Sequence, residues 1–239
     1  MIDELALIIK KSDNIVFFGG AGVSTESGIK DFRSKDGLYS MKYDYPLEKI
    51  LSHSFFLNNT DEFYKFYRDN LNCLNVSPNI CHKFLTKLEK IGKLKAIITQ
   101  NIDGLHQRSG SRNVLELHGS IYRNRCMRCD ENYTPEYVFN KSNSYICDCG
   151  GIIKPDVVLY GESLDDSVVN LSIEYIEKAD TLIVAGTSLT VYPASNFVKY
   201  FHGRNLIIIN SDCTSYDNLA DIVIHDKFGN VVSKIYDLF

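Results

Sequence analysis

The chain has 239 residues, of which 44% are hydrophobic and 23% are charged, and its formal net charge at pH 7 is −4. This composition is typical of a globular protein with one main domain and a small insert. It argues against a nucleic-acid-binding protein, which usually carries a basic surface, and no apolar run approaches the roughly 18 residues of a membrane span. The acidic residues 1–5 lack a signal-peptide pattern, so we expect a cytoplasmic protein whose seven cysteines form no structural disulfides.

Short apolar runs alternate along the chain with segments of helical spacing. Residues 3–11 are predicted as a helix and residues 15–18 as a buried strand. Further strands are predicted at 96–98, 114–117, 181–185, 206–209 and 222–224, and further helices at 82–91 and 165–179. Continuous runs of β-branched residues are typical of parallel strands that are covered on both faces. The alternation therefore predicts a doubly wound α/β fold.

Polar residues and glycines come directly after five of these strands. One strand is followed by the stretch TQNIDGLH at residues 99–106. The others are followed by Gly20-Ala21-Gly22, His118-Gly119, Gly186-Thr187-Ser188 and Asn210. Doubly wound folds bind ligands in a crevice beyond the carboxyl ends of their strands. The sequence therefore predicts a ligand-binding crevice at this edge of the sheet.

The first strand end carries the glycine-rich stretch FFGGAGVSTESGIKDFR at residues 17–33. Glycines let the backbone approach a phosphate, and the N-terminus of a following helix would attract its negative charge. The stretch departs from the G-x-G-x-x-G fingerprint, because Thr25 stands where the third glycine is required and no clear acidic ribose anchor lies about 20 residues further on. From these residues alone, phosphate binding and an ordinary strand–helix turn both remain open.

Two stretches interrupt the alternation and are predicted as inserts between strands. Residues 39–80 have a mostly helical pattern and many aromatic residues, whereas residues 121–152 are polar and contain four cysteines. Two cysteine pairs have the spacing of a four-thiolate zinc site, and the alternative is four free thiols in a loop: Cys126-x-x-Cys129 and Cys147-x-Cys149. Four protein ligands leave no open position for a substrate, so the predicted zinc is structural.

His118 is the best candidate for a general base among the six histidines, since it ends a strand and precedes Gly119. A lone histidine is more often structural, and His106, which we expect in a loop, is interpreted in that way. No role is assigned to the remaining histidines, His53, His82, His202 and His225. Three cysteines without a partner in sequence are predicted to be buried, inert thiols: Cys73, Cys81 and Cys213.

Successive motifs of the chain, taken in order, resemble those of the sirtuins: GAGVSTESGIKDFR, TQNIDGLHQRSG, LELHGS, the four cysteines, KPDVVLYGE, GTSLTVYPAS and LIIIN. The resemblance runs from about residue 13 to residue 228. It implies an NAD-dependent protein-lysine deacetylase with a Rossmann-like doubly wound parallel sheet. The family uses GAG-x-S in place of the dinucleotide fingerprint, which accounts for the imperfect match. The Cys147-x-Cys149 spacing is a departure, because many members have two residues between these cysteines.

The resemblance also implies a division of the chain and a reaction. A Rossmann-like NAD-binding domain is expected at residues 1–38, 82–120 and 153–239. A helical insert at 39–81 and a zinc-ribbon insert at 121–152 are expected to form a smaller domain with one structural zinc ion. The implied substrates are NAD and proteins that carry acetyl-lysine. The implied products are nicotinamide, O-acetyl-ADP-ribose and deacetylated lysine.

The functional residues of the family can be carried over position by position. His118 matches the catalytic base, and Asn101 matches a second catalytic residue. The matching cofactor-binding residues are Gly20, Ala21, Gly22, Thr25, Phe32, Arg33, Gln100, Asn101, Ile102, Asp103, Gly186, Thr187, Ser188, Asn210, Lys227 and Phe228. Of these, Lys227 and Phe228 are expected to close over the adenine. The zinc ligands match Cys126, Cys129, Cys147 and Cys149.

Two strands that flank an extended substrate peptide in the family also have counterparts here. Such a peptide would add its backbone hydrogen bonds to both strands. The matching residues are Val158, Leu159, Tyr160, Gly161 and Glu162 on one side and Val191, Tyr192 and Pro193 on the other.

Members of the family that remove succinyl or malonyl groups resemble one another in a Tyr-x-x-Arg pair within the helical insert. Here Tyr67 follows Tyr64 at that spacing, and Arg68 comes one residue late, about 100° further round a helix. We therefore expect Lys65 and Arg68 to be solvated. We also expect the uncharged acetyl group to be preferred, because a buried carboxylate without a partner is costly.

Three other functions remain as alternatives to deacetylation. An NAD-dependent dehydrogenase would transfer hydride and produce NADH absorbance. A mono-ADP-ribosyltransferase would transfer label from NAD to a target protein. A zinc-ribbon binding module without activity is the third alternative, and the presence of both His118 and Asn101 argues against it.

Overall fold

The computed structural model describes residues 1–32, 34 and 36–239. Its strands, in chain order, are β1 Ile15–Gly19, β2 Leu94–Thr99, β3 Val114–Glu116, β4 Gly119–Cys126, β5 Asn132–Tyr133, β6 Ile153–Val157, β7 Thr181–Ala185, β8 Asn205–Ile209 and β9 Ile222–Ile224. Its helices are α1 Ile2–Lys11, α2 Leu47–Ile50, α3 His53–Asn58, α4 Thr60–Asn70, α5 Ile80–Lys90, α6 Leu105–Arg108, α7 Pro135–Phe139, α8 Asp166–Lys178 and α9 Phe228–Ile235.

Six strands form one parallel sheet in the order β3-β2-β1-β7-β8-β9. The chain therefore builds outward from β1 in one direction and then returns to the other side of β1 with β7. This reversal is the topological switch point of a doubly wound sheet, where the loops beyond neighbouring strands diverge and leave a crevice. The five strand ends for which the sequence predicted polar groups all belong to this sheet or to its edge.

Helices cover both faces of the six-stranded sheet. Phe17 of β1 packs with side chains of α1, α5 and α9. Its neighbours Val16 and Phe18 point to the opposite face, where they pack with α8 and with the 3-10 segment Ala194–Tyr200. All five residues of β1 are buried, as expected for a strand that is covered on both sides. The predicted doubly wound α/β fold is confirmed.

Local signals set the helix boundaries close to the predicted ones. The helix predicted at residues 82–91 begins two residues earlier, because Asn79 forms a capping box with His82 at the start of α5. The helix predicted at residues 165–179 begins after Asp165, whose carboxylate accepts hydrogen bonds from the backbone N–H groups of Ser167 and Val168.

The cysteine-bearing insert takes part in a second sheet that the sequence pattern did not reveal and that extends beyond the insert into β6. β4 pairs antiparallel with β5 and β6, so a second sheet has the order β5-β4-β6. The β6 strand contains Pro155, which is compatible with an edge strand but removes a hydrogen-bond donor and is unusual within a strand. In the other insert, α2, α3 and α4 account for most of residues 47–70, in agreement with its predicted helical character.

A third hydrophobic cluster lies outside the six-stranded sheet and joins the two inserts. It packs Phe63 and Tyr67 of α4 against Ile121 of β4 and Ile153 of β6. The cysteines Cys126 and Cys147 belong to the same cluster. Within the part of the chain that the structure describes, no helix is long and apolar enough to cross a membrane.

Candidate active site

The loops after β1 and β7 touch each other through their backbones. The Gly22 N–H donates to the Gly186 carbonyl over 2.9 Å. A Cβ atom at Gly22 would lie 2.7 Å from the Gly186 Cα atom, and Gly186 itself has a φ of 59°. Glycine is thus required on both sides of this contact. The two predicted cofactor-binding loops are held together as one wall of the crevice.

Among the described residues, no α-helix follows β1 before α2, so the helix N-terminus considered for phosphate binding is not found there. Two short 3-10 turns follow β1, at Ala21–Val23 and Thr25–Ser27. The hydroxyl of Thr25 donates to the Gly22 carbonyl over 3.0 Å and stabilises the first of these turns. Phe32 is partly exposed beyond them. The predicted cofactor residue Arg33 lies outside the described residues.

Ser24 connects the glycine-rich loop to the polar stretch after β2. Its hydroxyl donates to Oδ2 of Asp103 over 2.6 Å and accepts from Nδ2 of Asn101 over 3.1 Å. The second oxygen of Asp103 accepts from the Leu105 N–H over 2.9 Å. Burial raises the pKa of Asp103, and the hydrogen bonds from Ser24 and Leu105 oppose that change. Asn101 and Asp103, both predicted site residues, therefore form one network.

His82 extends this network into the protein, although no role was assigned to it from the sequence. Its Nε2 atom lies 3.4 Å from the Ser24 hydroxyl, and its Nδ1 atom lies 3.0 Å from Oδ1 of Asn79. Its side chain is fully buried, and burial lowers its pKa to about 4. The spacing Asn79-x-x-His82 before an apolar run is the pattern of a helix N-terminus and could have revealed the contact with Asn79.

His106 lies in the short helix α6, not in a loop as expected. Four residues are too few to show a helical period in the sequence. Its ring is buried and packs edge-on against the ring of His82, with 4.8 Å between the centroids. Burial holds its pKa well below the usual value. The structural role predicted for His106 agrees with this position.

His118 stands at the exit of β3 with one ring nitrogen fixed. Its Nδ1 atom lies 2.9 Å from the carbonyl oxygen of Gln100. A carbonyl oxygen only accepts, so Nδ1 carries the proton in the neutral ring, and Nε2 keeps its lone pair. Burial lowers the pKa of His118, and the hydrogen bond to Gln100 opposes that change. A neutral imidazole with an available Nε2 is suited to accept a proton.

The chain turns sharply after His118 at Gly119. Gly119 has a φ of 74°, and a Cβ atom there would lie 1.9 Å from the carbonyl oxygen of Asp156. Only glycine fits this contact. The His118 carbonyl accepts from the Val158 N–H over 3.0 Å. The predicted base is therefore placed beside the predicted peptide-binding segment that follows β6.

The remaining predicted cofactor residues line the strand ends from β2 to β9. Nε2 of Gln100 donates to the Thr187 hydroxyl over 3.0 Å, so the ends of β2 and β7 are linked across β1. The Asn210 N–H donates to the Ile224 carbonyl over 3.1 Å at the far side of the sheet. Ile102 is half-buried next to Asp103, and its carbonyl accepts a hydrogen bond from the N–H of Ile121 in β4.

Phe228 does not take the position that was expected of it. Its side chain is buried at the start of α9 and stacks on Phe17, with 5.3 Å between the ring centroids. An aromatic ring in the core cannot close over an adenine in the crevice. Lys227 is the residue that precedes α9, and it is exposed.

The two predicted peptide-flanking segments are not regular strands. In residues 158–162, the Tyr160 N–H donates to the Leu51 carbonyl and the Leu159 N–H donates to the Glu162 carboxylate. The second segment, residues 191–193, forms a turn that leads into the 3-10 segment Ala194–Tyr200. The Leu159 and Tyr160 carbonyls also accept, from the Glu162 and His53 N–H groups, so an added peptide strand would have to pair with the remaining backbone groups of the first segment.

Glu162 links residues 158–162 to α3 and to β6. Its carboxylate lies 2.6 Å from Nδ1 of His53 in α3 and 3.1 Å from Nζ of Lys154 in β6. Burial raises the pKa of Glu162, but the hydrogen bonds from the Leu159 N–H, His53 and Lys154 outweigh this effect and lower the pKa below its usual value. His53, for which the sequence indicated no role, is a partner of this carboxylate.

The four predicted zinc ligands come together and fit a zinc ion. All four sulfur atoms lie within 4.8 Å of one another, with 3.5 Å between Cys126 and Cys149 and 3.6 Å between Cys129 and Cys147. Tetrahedral Zn–S bonds of about 2.3 Å would separate the sulfurs by about 3.8 Å. The Gly151 N–H donates to the Cys149 sulfur over 3.4 Å, a bond that favours the thiolate form. The shorter Cys-x-Cys spacing does not prevent this arrangement.

The three other cysteines do not behave alike. Cys73 and Cys81 are buried, as predicted, and burial raises the pKa of each thiol to about 12. Cys213 is exposed, so its prediction as a buried thiol is wrong. It lies in the loop after β8, where the surrounding residues are polar and no apolar periodicity marks a core position.

Arg68 of α4 is not solvated as expected. Its Nε atom donates to the Val138 carbonyl over 2.7 Å and its Nη2 atom donates to the Asn143 carbonyl over 3.0 Å. Tyr64 is buried, and its hydroxyl donates to the Ile153 carbonyl. Lys65 is exposed, as predicted. Both members of the possible carboxylate-binding pair are thus engaged with backbone carbonyls in or beside the cysteine-bearing insert.

Comparison with known proteins gives consistent matches over nearly the whole chain. The sequence model of the Sir2 family matches residues 20–193. An NAD-dependent protein deacetylase of Clostridium acetobutylicum is 56% identical over 239 residues, which cover 98% of this chain and 97% of that protein. An NAD-dependent protein deacetylase of Clostridium perfringens is 53% identical over 240 residues, covering 99% of this chain and 98% of that protein.

Solved structures agree with the sequence matches. A Sir2–p53 peptide–NAD⁺ complex superimposes with a TM-score of 0.88 at 34% identity, covering 100% of this chain and 98% of that chain. A Sir2 variant with a deacetylated p53 peptide and 3′-O-acetyl ADP ribose superimposes with a TM-score of 0.92 at 34% identity, covering 99% of this chain and 98% of that chain.

Proposed function

The chain belongs to the Sir2 family, and we propose that it removes acetyl groups from lysine side chains of proteins with NAD as co-substrate. The products are nicotinamide, O-acetyl-ADP-ribose and deacetylated lysine. The observation that best supports this proposal is the fixed ring of His118. Its Nδ1 proton is held by the Gln100 carbonyl at the ends of the strands. NAD supplies a ribose carbon that accepts the acetyl oxygen as nicotinamide leaves.

His118 is the proposed general base. Its Nε2 lone pair accepts the proton that a ribose hydroxyl must lose before it can attack the acetyl carbon. The imidazole is neutral at neutral pH because burial lowers its pKa. A correctly placed base of this kind typically contributes about 10²–10⁴-fold to the rate. The bond between Nδ1 and Gln100 keeps the accepting nitrogen turned toward the crevice.

Asn101 and Asp103 are proposed to hold the nicotinamide and its ribose. Their side chains already meet at the Ser24 hydroxyl, which fixes both amide and carboxylate without a ligand. The carboxylate of Asp103 can accept a hydrogen bond from the nicotinamide carboxamide. Such prepositioned groups lower the entropic cost of reaching the reactive geometry. Ser24 is therefore a positioning residue in this proposal.

The phosphates and the adenosine are proposed to lie along the glycine-rich loop and the ends of β7 and β8. The contact between Gly22 and Gly186 supports this, because neither residue carries a side chain that would keep a phosphate away from the backbone at this point. Thr187, Ser188 and Asn210 are the proposed polar contacts further along the same edge. The acetyl-lysine peptide is proposed to lie between residues 158–162 and residues 191–193.

The cysteines Cys126, Cys129, Cys147 and Cys149 are proposed to hold one structural zinc ion in the smaller domain. Their fit to tetrahedral coordination supports this, and four protein ligands leave no open position for chemistry. The proposed domains are those expected from the sequence, a Rossmann-like domain at residues 1–38, 82–120 and 153–239 and a smaller domain at residues 39–81 and 121–152. The shared hydrophobic cluster of the two inserts supports grouping them as one small domain.

Cytoplasmic location is also part of the proposal. None of the seven cysteines forms a disulfide in the described residues, which is usual for proteins of a reducing compartment. Substrate proteins carrying acetyl-lysine are the proposed partners, and neither nucleic acid nor a membrane is proposed as one.

Mass spectrometry of an acetyl-lysine peptide incubated with the protein tests the function. With NAD, the peptide should lose one acetyl group and nicotinamide should appear in equal amount; without NAD, nothing should change. His118→Ala should slow this reaction by about 10²–10⁴-fold while NAD still binds. His202→Ala, which changes an exposed histidine outside the crevice, is the matched control.

The same assay separates the alternatives. NADH absorbance in place of acetyl loss would identify a dehydrogenase, and transfer of labelled ADP-ribose to the peptide would identify a transferase. An unchanged peptide in the presence of bound NAD would contradict the proposed deacetylation.

A further inference from the structure

A second group of metal-ligand side chains lies on the six-stranded sheet domain, in the region between β8 and α9. We propose that Cys213, Asp217 and His225 form a second metal site. It would bind a divalent ion with the ligand preferences of zinc, and the bound ion could exchange with ions in solution. The three ligand atoms, one sulfur, one carboxylate oxygen and one imidazole nitrogen, lie within 4.8 Å of one another. Sulfur, nitrogen and oxygen ligands of this kind are those that zinc binds in proteins.

The distances are close to those of a coordinated ion. The Cys213 sulfur lies 3.8 Å from Nε2 of His225, and the same Nε2 lies 3.5 Å from Oδ2 of Asp217. Tetrahedral zinc with ordinary bond lengths would separate sulfur from nitrogen by about 3.5 Å and nitrogen from oxygen by about 3.4 Å. Two edges of the ligand triangle are therefore within a few tenths of an ångström of the bound geometry.

The arrangement is that of a metal site and not of a catalytic Cys-His-Asp triad. In a triad the two nitrogens of the imidazole contact different partners, because the ring relays between an acid and a nucleophile. Here Nε2 of His225 faces both the Cys213 sulfur and the Asp217 carboxylate. Convergence of three ligand atoms on one point is what an ion requires.

The carboxylate is oriented by a further residue. The Thr214 hydroxyl donates to Oδ1 of Asp217 over 2.6 Å and leaves Oδ2 turned toward His225. Hydrogen bonds of this type orient metal ligands and strengthen binding. The Asp217 N–H also donates to the Thr214 carbonyl over 3.3 Å, so a turn brings Cys213 and Asp217 to the same side of the loop.

The site joins two segments of the chain. Cys213 and Asp217 belong to the loop after β8, whereas His225 comes directly after β9. His225 is 45% exposed and Asp217 is 18% exposed as side chains, so an ion can enter from solvent. Three protein ligands leave a position for water, in contrast to the closed four-cysteine cluster. An ion at this site would tether the loop to the end of β9.

Titration with Co²⁺ tests the proposal on protein that retains its structural zinc. Cobalt bound to one thiolate should produce a sulfur-to-metal absorption band that saturates at one equivalent, while a zinc indicator shows no release from the four cysteines. Cys213→Ser should abolish the band, and His225→Ala should prevent saturation at one equivalent. Thr214→Ala should weaken cobalt binding by about 10-fold.

Two exposed residues provide matched controls. Asp212→Asn removes a carboxylate from the same loop, and His202→Ala removes an imidazole from the same domain; both should leave the titration unchanged. Amide hydrogen exchange in residues 211–217 should slow when cobalt or zinc is added to the wild type but not to Cys213→Ser. Absence of a thiolate band in the wild type, or an unchanged band in Cys213→Ser, would overturn the proposal.

Discussion

The Nδ1 atom of His118 lies 2.9 Å from the carbonyl oxygen of Gln100, and this contact determines which nitrogen can act as the base. The protonated Nδ1 is held against the backbone, so in the proposed reaction the proton would be accepted at Nε2. Because burial lowers the pKa of His118 below its usual 6.5, the ring stays neutral at a lower pH than a solvated histidine. The proposed base would therefore be unprotonated at Nε2, and able to accept a proton, over the whole neutral range.

The lowered pKa of His118 predicts how the rate of the reaction depends on pH. We expect kcat/KM for an acetyl-lysine peptide to be level near neutral pH and to fall only as the pH drops through a pKa below 6.5. The measurement is nicotinamide release against pH, with peptide and NAD well below saturation. An acidic limb centred above pH 6.5 would contradict the assignment of a neutral, buried base.

Gly22→Ala should disrupt the crevice at its phosphate side. The added Cβ would meet the Gly186 Cα atom at 2.7 Å, and two backbone segments cannot both stay in place. We expect the NAD dissociation constant, measured by calorimetry, to rise at least about tenfold, which is on the order of 1.4 kcal/mol. Gly92→Ala is the control, because that glycine also has a positive φ, 77°, but lies before β2. It should lower stability while NAD binding stays unchanged.

Acetyl-lysine should be preferred over succinyl-lysine by at least about tenfold in kcat/KM, on the order of 1.4 kcal/mol. Arg68 and Tyr64 each donate to backbone carbonyls and do not present a free pair for a carboxylate. Arg68→Ala should lower the free energy of unfolding without changing the acetyl-to-succinyl ratio, and Lys65→Ala should change neither. Equal turnover of the two peptides would show that a carboxylate partner exists after all.

His82 should make stability sensitive to pH. Burial lowers its pKa from 6.5 to about 4, so the unfolded chain takes up this proton near pH 6.5 and the folded chain only near pH 4. Neutral His82 therefore contributes about 3 kcal/mol to the free energy of unfolding above pH 6.5, and this contribution is lost as the pH falls toward 4. In urea denaturation, His82→Gln should show a shallower decline between about pH 7 and about pH 5. His202→Gln should follow the wild type.

Loss of the structural zinc should affect stability before chemistry. Cys147 is one of four sulfurs within 4.8 Å of one another and also belongs to the hydrophobic cluster that joins the inserts. We expect Cys147→Ser to lower solubility and Tm, with activity falling as a consequence. Metal analysis should find about one tightly bound zinc in the wild type and less in the variant. Fully active, folded protein without this zinc would contradict the structural role.

Much of the sheet could be predicted because its strands are buried on both faces. The apolar runs of β1, β2, β7 and β8 favour a parallel sheet that is covered on both faces, and the carboxyl ends of such strands share one edge. The meeting of distant strand ends at one crevice follows from that topology. The cysteine spacing was equally informative, because two closely spaced cysteine pairs at this separation are typical of a zinc site.

The remaining features depend on contacts that no local pattern encodes. The hydrogen bond between Ser24 and Asp103 joins residues far apart in sequence, and it depends on how the loops after β1 and β2 are positioned in the fold. The antiparallel pairing of β4 and β6 was hidden by the polar, proline-containing sequence of β6. The engagement of Arg68 with carbonyls of the other insert, and the core position of Phe228, are likewise set by packing between elements.

The position of β1 in the sheet has a consequence for synthesis of the chain. β1 leaves the ribosome well before β7, one of its partners in the sheet, in which Thr181 lies opposite Ile15. Until β7 has been made, this fully apolar strand has an open edge, which invites pairing with other chains. Pairings between segments so distant in sequence also form slowly. Aggregation of newly made chains, more than instability of the finished protein, is therefore the hazard that this strand order creates.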